Sequence, residues 1–63
     1  MNIGIYIYDQ AEVLDFSGPF EVFSVANRLA KLGWSIWLIG VSENLVEARG
    51  AFKVMPHYSI QNV

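Results

Sequence analysis

Four of the chain's six acidic residues, Asp9, Glu12, Asp15 and Glu21, fall in one stretch that follows an apolar, strand-like segment. Asp15 carries the most chemical promise. It stands inside the run Val13-Leu14-Asp15-Phe16-Ser17-Gly18-Pro19-Phe20-Glu21-Val22-Phe23, where most neighbours are apolar. Open α/β folds build their sites just beyond the carboxyl ends of strands, and this run occupies such a place. A carboxyl buried among apolar side chains favours its protonated form, which suits it to proton transfer. The competing expectation for Asp15 is structural: it caps the helix that follows. Spacing alone leaves both open.

The remaining candidates are weaker. An acidic metal pocket needs carboxylates from several strand ends, whereas Asp9, Glu12, Asp15 and Glu21 all follow one. His57 is the single histidine and has no second ligand at metal spacing, so a surface-loop role is expected. Tyr6 and Tyr8 read as core or pocket wall, and Arg49 as a solvated or interface charge. The connection after the first strand, Asp9-Gln10-Ala11-Glu12, contains no glycine. A dinucleotide loop needs glycines there so that the backbone can approach a pyrophosphate. The Gly-Lys-Ser/Thr phosphate loop is absent too. With no cysteine, these residues hold no disulfide, no thiolate metal site and no thiol nucleophile. No cofactor is expected.

These side chains need elements to position them. Residues 2–8 alternate Ile3, Ile5 and Ile7 with Gly4, Tyr6 and Tyr8, the pattern of a strand covered on both faces. A helix follows. Val22, Val25, Ala26 and Leu29 recur at helical spacing, widened by Phe23 and Ala30, and predict its buried stripe. It starts either at Pro19, where a missing N–H costs nothing, or near Leu14, with Pro19 bending it early. Gly33 marks its stop. Residues 34–41 read as a second strand, so strand, helix and strand form a parallel βαβ unit. Short strands are expected at residues 45–49 and 52–55, with a turn or bulge at Gly50 and a stop at Pro56. The tail from His57 has no clear pattern, although Ser59 suits a short turn.

Size and composition pull in opposite directions. A 63-residue chain lies near the lower limit for an independent domain, yet 54% of its residues are apolar. A parallel sheet wants helices on both faces, and this chain has room for one good helix. The expectation is that residues 1–63 form an incomplete N-terminal portion of one larger domain. A net charge of −2 leaves no broad basic face for nucleic acid. No apolar run has membrane-spanning length and no signal-peptide pattern opens the chain, so a soluble, cytoplasmic protein is expected.

The chain resembles the N-terminal part of the ThiJ/PfpI family, whose fold is similar to that of class I glutamine amidotransferases. The residues that carry the likeness are Ile3 to Tyr8, the run from Glu12 to Phe23, Ile36 to Val41 and Phe52 to Ile60. The Leu-Asp-Phe-x-Gly-Pro-x-Glu-Val-Phe signature is fairly specific. It looks like the branch that holds isonitrile hydratases and the sensor-like domains of AraC-type transcriptional regulators. Val25-Ala26-Asn27-Arg28-Leu29 looks, more weakly, like the regulators.

The resemblance implies a flavodoxin-like αβα sandwich with a mainly parallel sheet, and a homodimer when complete. It implies a nucleophilic cysteine on a strand-to-helix elbow, with an acid from the first βα loop beside it. Asp15 matches that acid, which in the hydratases shuttles protons as water adds to an isonitrile carbon. Gly18 and Pro19 match the motif as backbone geometry, and Glu21 matches a helical position. The cysteine itself has no counterpart here. Two functions follow as expectations: a cysteine-dependent hydratase or hydrolase acting on a small molecule, or a ligand-sensing, dimerising domain of an AraC-type regulator. Neither involves direct nucleic-acid contact by these residues, nor a membrane.

Overall fold

The computed structural model describes residues 1–61. The elements run β1 (Asn2–Tyr6), α1 (Val13–Ala30), β2 (Ser35–Gly40), β3 (Val46–Ala48), a 3₁₀ turn (Arg49–Ala51), β4 (Phe52–Val54) and β5 (Tyr58–Ser59). Strands β1, β2 and β5 form one parallel sheet in that spatial order, and β3 and β4 form a separate antiparallel hairpin. The expected parallel strand–helix–strand unit is present. The tail also contributes a strand that the sequence did not signal.

β1 pairs with β2 from Asn2↔Ser35 to Tyr6↔Ile39. It is shorter than expected because the chain turns: Ile7 N–H still donates to Ile39 C=O (2.8 Å), but Tyr8 C=O then accepts Ala11 N–H (3.2 Å). Side chains alternate across the sheet. Ile3, Ile5 and Leu38 lie on the face that α1 covers, whereas Gly4, Tyr6, Trp37 and Ile39 lie on the other. The second face is open, with Tyr6 and Tyr8 both exposed.

α1 starts at Val13 and runs through Pro19. Pro19 cannot donate to the Asp15 carbonyl four residues earlier, a helix-interior defect that costs about 3 kcal/mol. Gly18 softens it, because the residue before proline normally clashes through its Cβ and glycine has none. A Cβ at Gly18 would meet nothing within 4 Å beyond its chain neighbours and the helix's own backbone.

The buried stripe of α1 differs from the expected one. Val13, Phe16, Phe20, Phe23 and Asn27, at alternating steps of three and four, face inward. Val22 and Leu29 are 64% and 76% exposed, and Leu14 is 79% exposed. The large phenylalanines fill the gap above the sheet, which turns the smaller Val/Leu stripe to solvent. The helix ends at Ala30, three residues before the expected stop at Gly33. Lys31 itself adopts the left-handed conformation (φ 53°) and its N–H bonds Asn27 C=O, joined by Leu32 N–H (3.2 Å).

The buried apolar residues are Ile7, Ala11, Phe16, Val46 and Ala48, with Ile5, Val13, Leu38 and Val54 packed against them. This core sits where the end of β1, the start of α1 and the hairpin meet. The total accessible surface is 4397 Å², against about 4,100 Å² for a folded monomer of this mass. Compactness is therefore ordinary for the size. The unusual property is the number of large apolar side chains left at the surface.

Candidate functional site

The hairpin is fastened by main chain to the connection that follows the carboxyl end of β1. Gln10 N–H donates to Glu47 C=O (2.9 Å) and Arg49 N–H donates to Ala11 C=O (2.9 Å). Asp9 Oδ1 accepts Glu47 N–H (3.1 Å), so its carboxylate is engaged structurally. Gln10 takes a positive φ of 67° to make this turn. Arg49 Nε lies 3.2 Å from Glu12 Oε1, an exposed ion pair across the same seam. Arg49 thus ties the hairpin to the helix start, which the sequence did not reveal.

Asp15 is the third residue of α1, in its first turn. Its N–H donates to Glu12 C=O (3.0 Å). The side chain is exposed, while Phe16 beside it is 5% exposed. The expectation of a carboxyl buried in an apolar loop is therefore corrected: the helix begins earlier, and its turn directs Phe16 inward and leaves Asp15 outside. The capping expectation is corrected as well. Glu12 is the N-cap residue, and no side-chain bond caps the helix. An acidic residue in the first turn still interacts favourably with the positive end of the helix dipole.

Two concavities flank this corner. One, of about 170 Å³, lies beyond the carboxyl ends of β1 and β2 and is lined by residues including Tyr8, Asp9, Ser42 and Asn44. The other, of about 270 Å³, runs between α1 and the hairpin past Phe16, Phe20, Glu21, Leu38 and Phe52. Glu21 thus borders a groove, separate from the 170 Å³ cleft. Tyr8 is a pocket wall as expected. It also stacks on Tyr6 with ring centroids 5.7 Å apart.

Two polar side chains prove more important than the sequence implied. Asn27 clamps the backbone of Trp34: its Nδ2 donates to Trp34 C=O (2.8 Å) and its Oδ1 accepts Trp34 N–H (2.9 Å). The apolar stripe expected from helical spacing left Asn27 outside it, so no local pattern signalled this clamp. His57 is no idle loop residue. Its Nδ1 accepts Leu38 N–H (2.8 Å) and its own N–H donates to Leu38 C=O (2.8 Å).

Among the described residues, no group of three His, Cys, Asp or Glu is placed to hold a metal ion. No described helix is long and apolar enough to cross a membrane. No family model, curated protein or solved structure matches the chain.

Proposed function

We propose that the chain is the N-terminal portion of a ThiJ/PfpI-like, flavodoxin-like αβα domain that works as a cysteine-dependent hydratase or hydrolase on a small molecule. Asp15 is its proton-transfer acid. The observation that carries this reading is the parallel β1–α1–β2 unit with Asp15 in the first turn beyond β1. An exposed carboxylate at that place is free to face a thiol from another element. The open sheet face and the outward Leu14, Val22 and Leu29 stripe support a larger domain and a dimer, because such surfaces seek cover.

With an isonitrile, the chemistry balances as follows. A thiolate supplied by residues outside this segment bonds to the terminal carbon, and the Asp15 carboxyl gives that carbon a proton. Water adds to the resulting thioimidate, the C–S bond breaks, and the thiolate leaves as the N-substituted formamide forms. The proton released by water returns to Asp15. Removing such a group typically costs about 100-fold or more in turnover.

The test is Asp15→Asn in the natively produced polypeptide, assayed for isonitrile hydration. Turnover should fall by about 100-fold or more with the melting temperature unchanged. Wild-type turnover in the variant rejects the catalytic role. Ligand binding without turnover in the wild type favours the AraC-type sensor reading instead. Asn27 does not discriminate between them, since its clamp on Trp34 accounts structurally for the regulator-like Val25–Leu29 segment.

A further inference from the structure

His57 occupies an unusual place in the sheet. β5 pairs with β2 through Ile39↔Tyr58 and Gly40↔Ser59, and Ile60 N–H donates to Gly40 C=O (2.9 Å). One step back along β2 the ladder changes character. Leu38 N–H, which in a regular parallel ladder would meet a main-chain carbonyl of the neighbouring strand, meets the imidazole Nδ1 of His57 instead. The ring is a substitute carbonyl. The ring is exposed, as expected of a surface bend, and neighbours Trp37 edge-on at 5.5 Å and Phe20 of α1 in a stacked arrangement at 6.4 Å.

We propose that His57 is an acid-sensitive latch: its neutral ring fastens residues 57–60 to β2, and protonation at Nδ1 releases them. A neutral imidazole has one acceptor nitrogen, and here that must be Nδ1, with the proton on Nε2. The imidazolium has two donors and no acceptor. Protonation therefore points a ring N–H at the Leu38 N–H, and the contact turns from attraction to repulsion. The main-chain bond from His57 N–H to Leu38 C=O then lies beside a repelled ring and loses its partner in the clamp.

The charges around the ring are few. β2 contributes no titratable side chain to the contact. α1 contributes Phe20, with Glu21 next to it on the groove that also borders Leu38. β5 contributes Tyr58, whose ring packs on Trp37 at 5.1 Å. The sign follows directly. The latch is closed while the ring is neutral and opens when it is protonated. The inference is independent of the role given to Asp15.

The experiment is amide hydrogen exchange and nitrogen-15 NMR on the natively produced polypeptide between about pH 8 and about pH 5. At the upper end the ring nitrogens should report the Nε2–H tautomer. On acidification the protection of the Leu38 and Ile60 amides should fall together by about tenfold, the value of one lost hydrogen bond. Ile7 N–H, on the other edge of β2, should keep its protection. In His57→Gln the step should vanish. An Nδ1–H tautomer at high pH, or Leu38 protection that is constant through the ring's titration, overturns the proposal. The tautomer is read on the wild type, so that arm stands even if the variant fails to fold.

Discussion

β2 is held along both edges, and the two edges are built on different principles. On the β1 side the ladder runs over the whole strand, from Asn2↔Ser35 to Tyr6↔Ile39, with Ile7 N–H extending it. Just before β2, Asn27 of α1 adds a side-chain clamp on Trp34 with one donor and one acceptor. On the β5 side the ladder is two residues long, and a histidine ring completes it. An amide carries both hydrogen-bonding roles at any pH, whereas an imidazole carries its acceptor only when neutral. The first edge is therefore built to be permanent and the second to be conditional. The comparison also shows why β5 escaped the sequence: two residues cannot display an alternating pattern.

The largest test of the contrast is Ile7→Ala. Ile7 is fully buried where β1, α1 and the hairpin meet, so the substitution should cost about 3 kcal/mol in denaturant titration. It should loosen the permanent edge without creating any pH dependence. Asn27→Ala comes next. It removes both half-buried bonds to Trp34 and should cost about 2 kcal/mol. Asn27→Asp, which keeps the acceptor and loses the donor, should fall between the variant and the wild type. Equal stability of Asn27→Ala and the wild type would deny the clamp its role.

Gly40→Ala probes the conditional edge. A Cβ at Gly40 would come within 3.0 Å of Ser42 O and 3.1 Å of Pro56 Cγ, so the chain entering β5 must move. The expected loss is about 1.5 kcal/mol, with reduced protection at Ile60 and little change at Ile7. Uniform loss at both amides would mean that the edges do not act separately. The smallest effect is a gain. Lys31 holds a left-handed backbone that glycine adopts freely, and Lys31→Gly should stabilise the chain by about 1 kcal/mol by melting temperature.

The sequence was most legible where a pattern is long. Ile3, Ile5 and Ile7 announced β1, the parallel strand–helix–strand order followed from it, and Gly50 marked the turn between β3 and β4. It was misleading where two apolar stripes compete on one helix. Val25 and Phe23 of the expected stripe are half-buried, whereas Val22, Ala26 and Leu29 are exposed and Phe16 and Phe20 take the inward positions. Asp15 was legible as an acidic residue of the segment that follows β1. Its exposure was not, because the helix start depended on whether Pro19 is tolerated inside. The parts played by His57 and Arg49 come from main-chain partners far away in sequence, Leu38 and Ala11, and that of Asn27 from Trp34 beyond the helix end, which no apolar pattern encodes.

The small core has a thermodynamic signature. The heat-capacity change on unfolding and the steepness of a denaturation curve both scale with the surface newly exposed to water. Here Ile7, Ala11, Phe16, Val46 and Ala48 are the buried apolar residues, and two of the five are alanines. Leu14, Leu29 and Ile60 are already in contact with water when folded, at 79%, 76% and 61% exposure, and add little on unfolding. A scan of these residues by themselves will therefore show a broad, shallow transition. The width of the transition is a direct gauge of how little apolar surface folding hides.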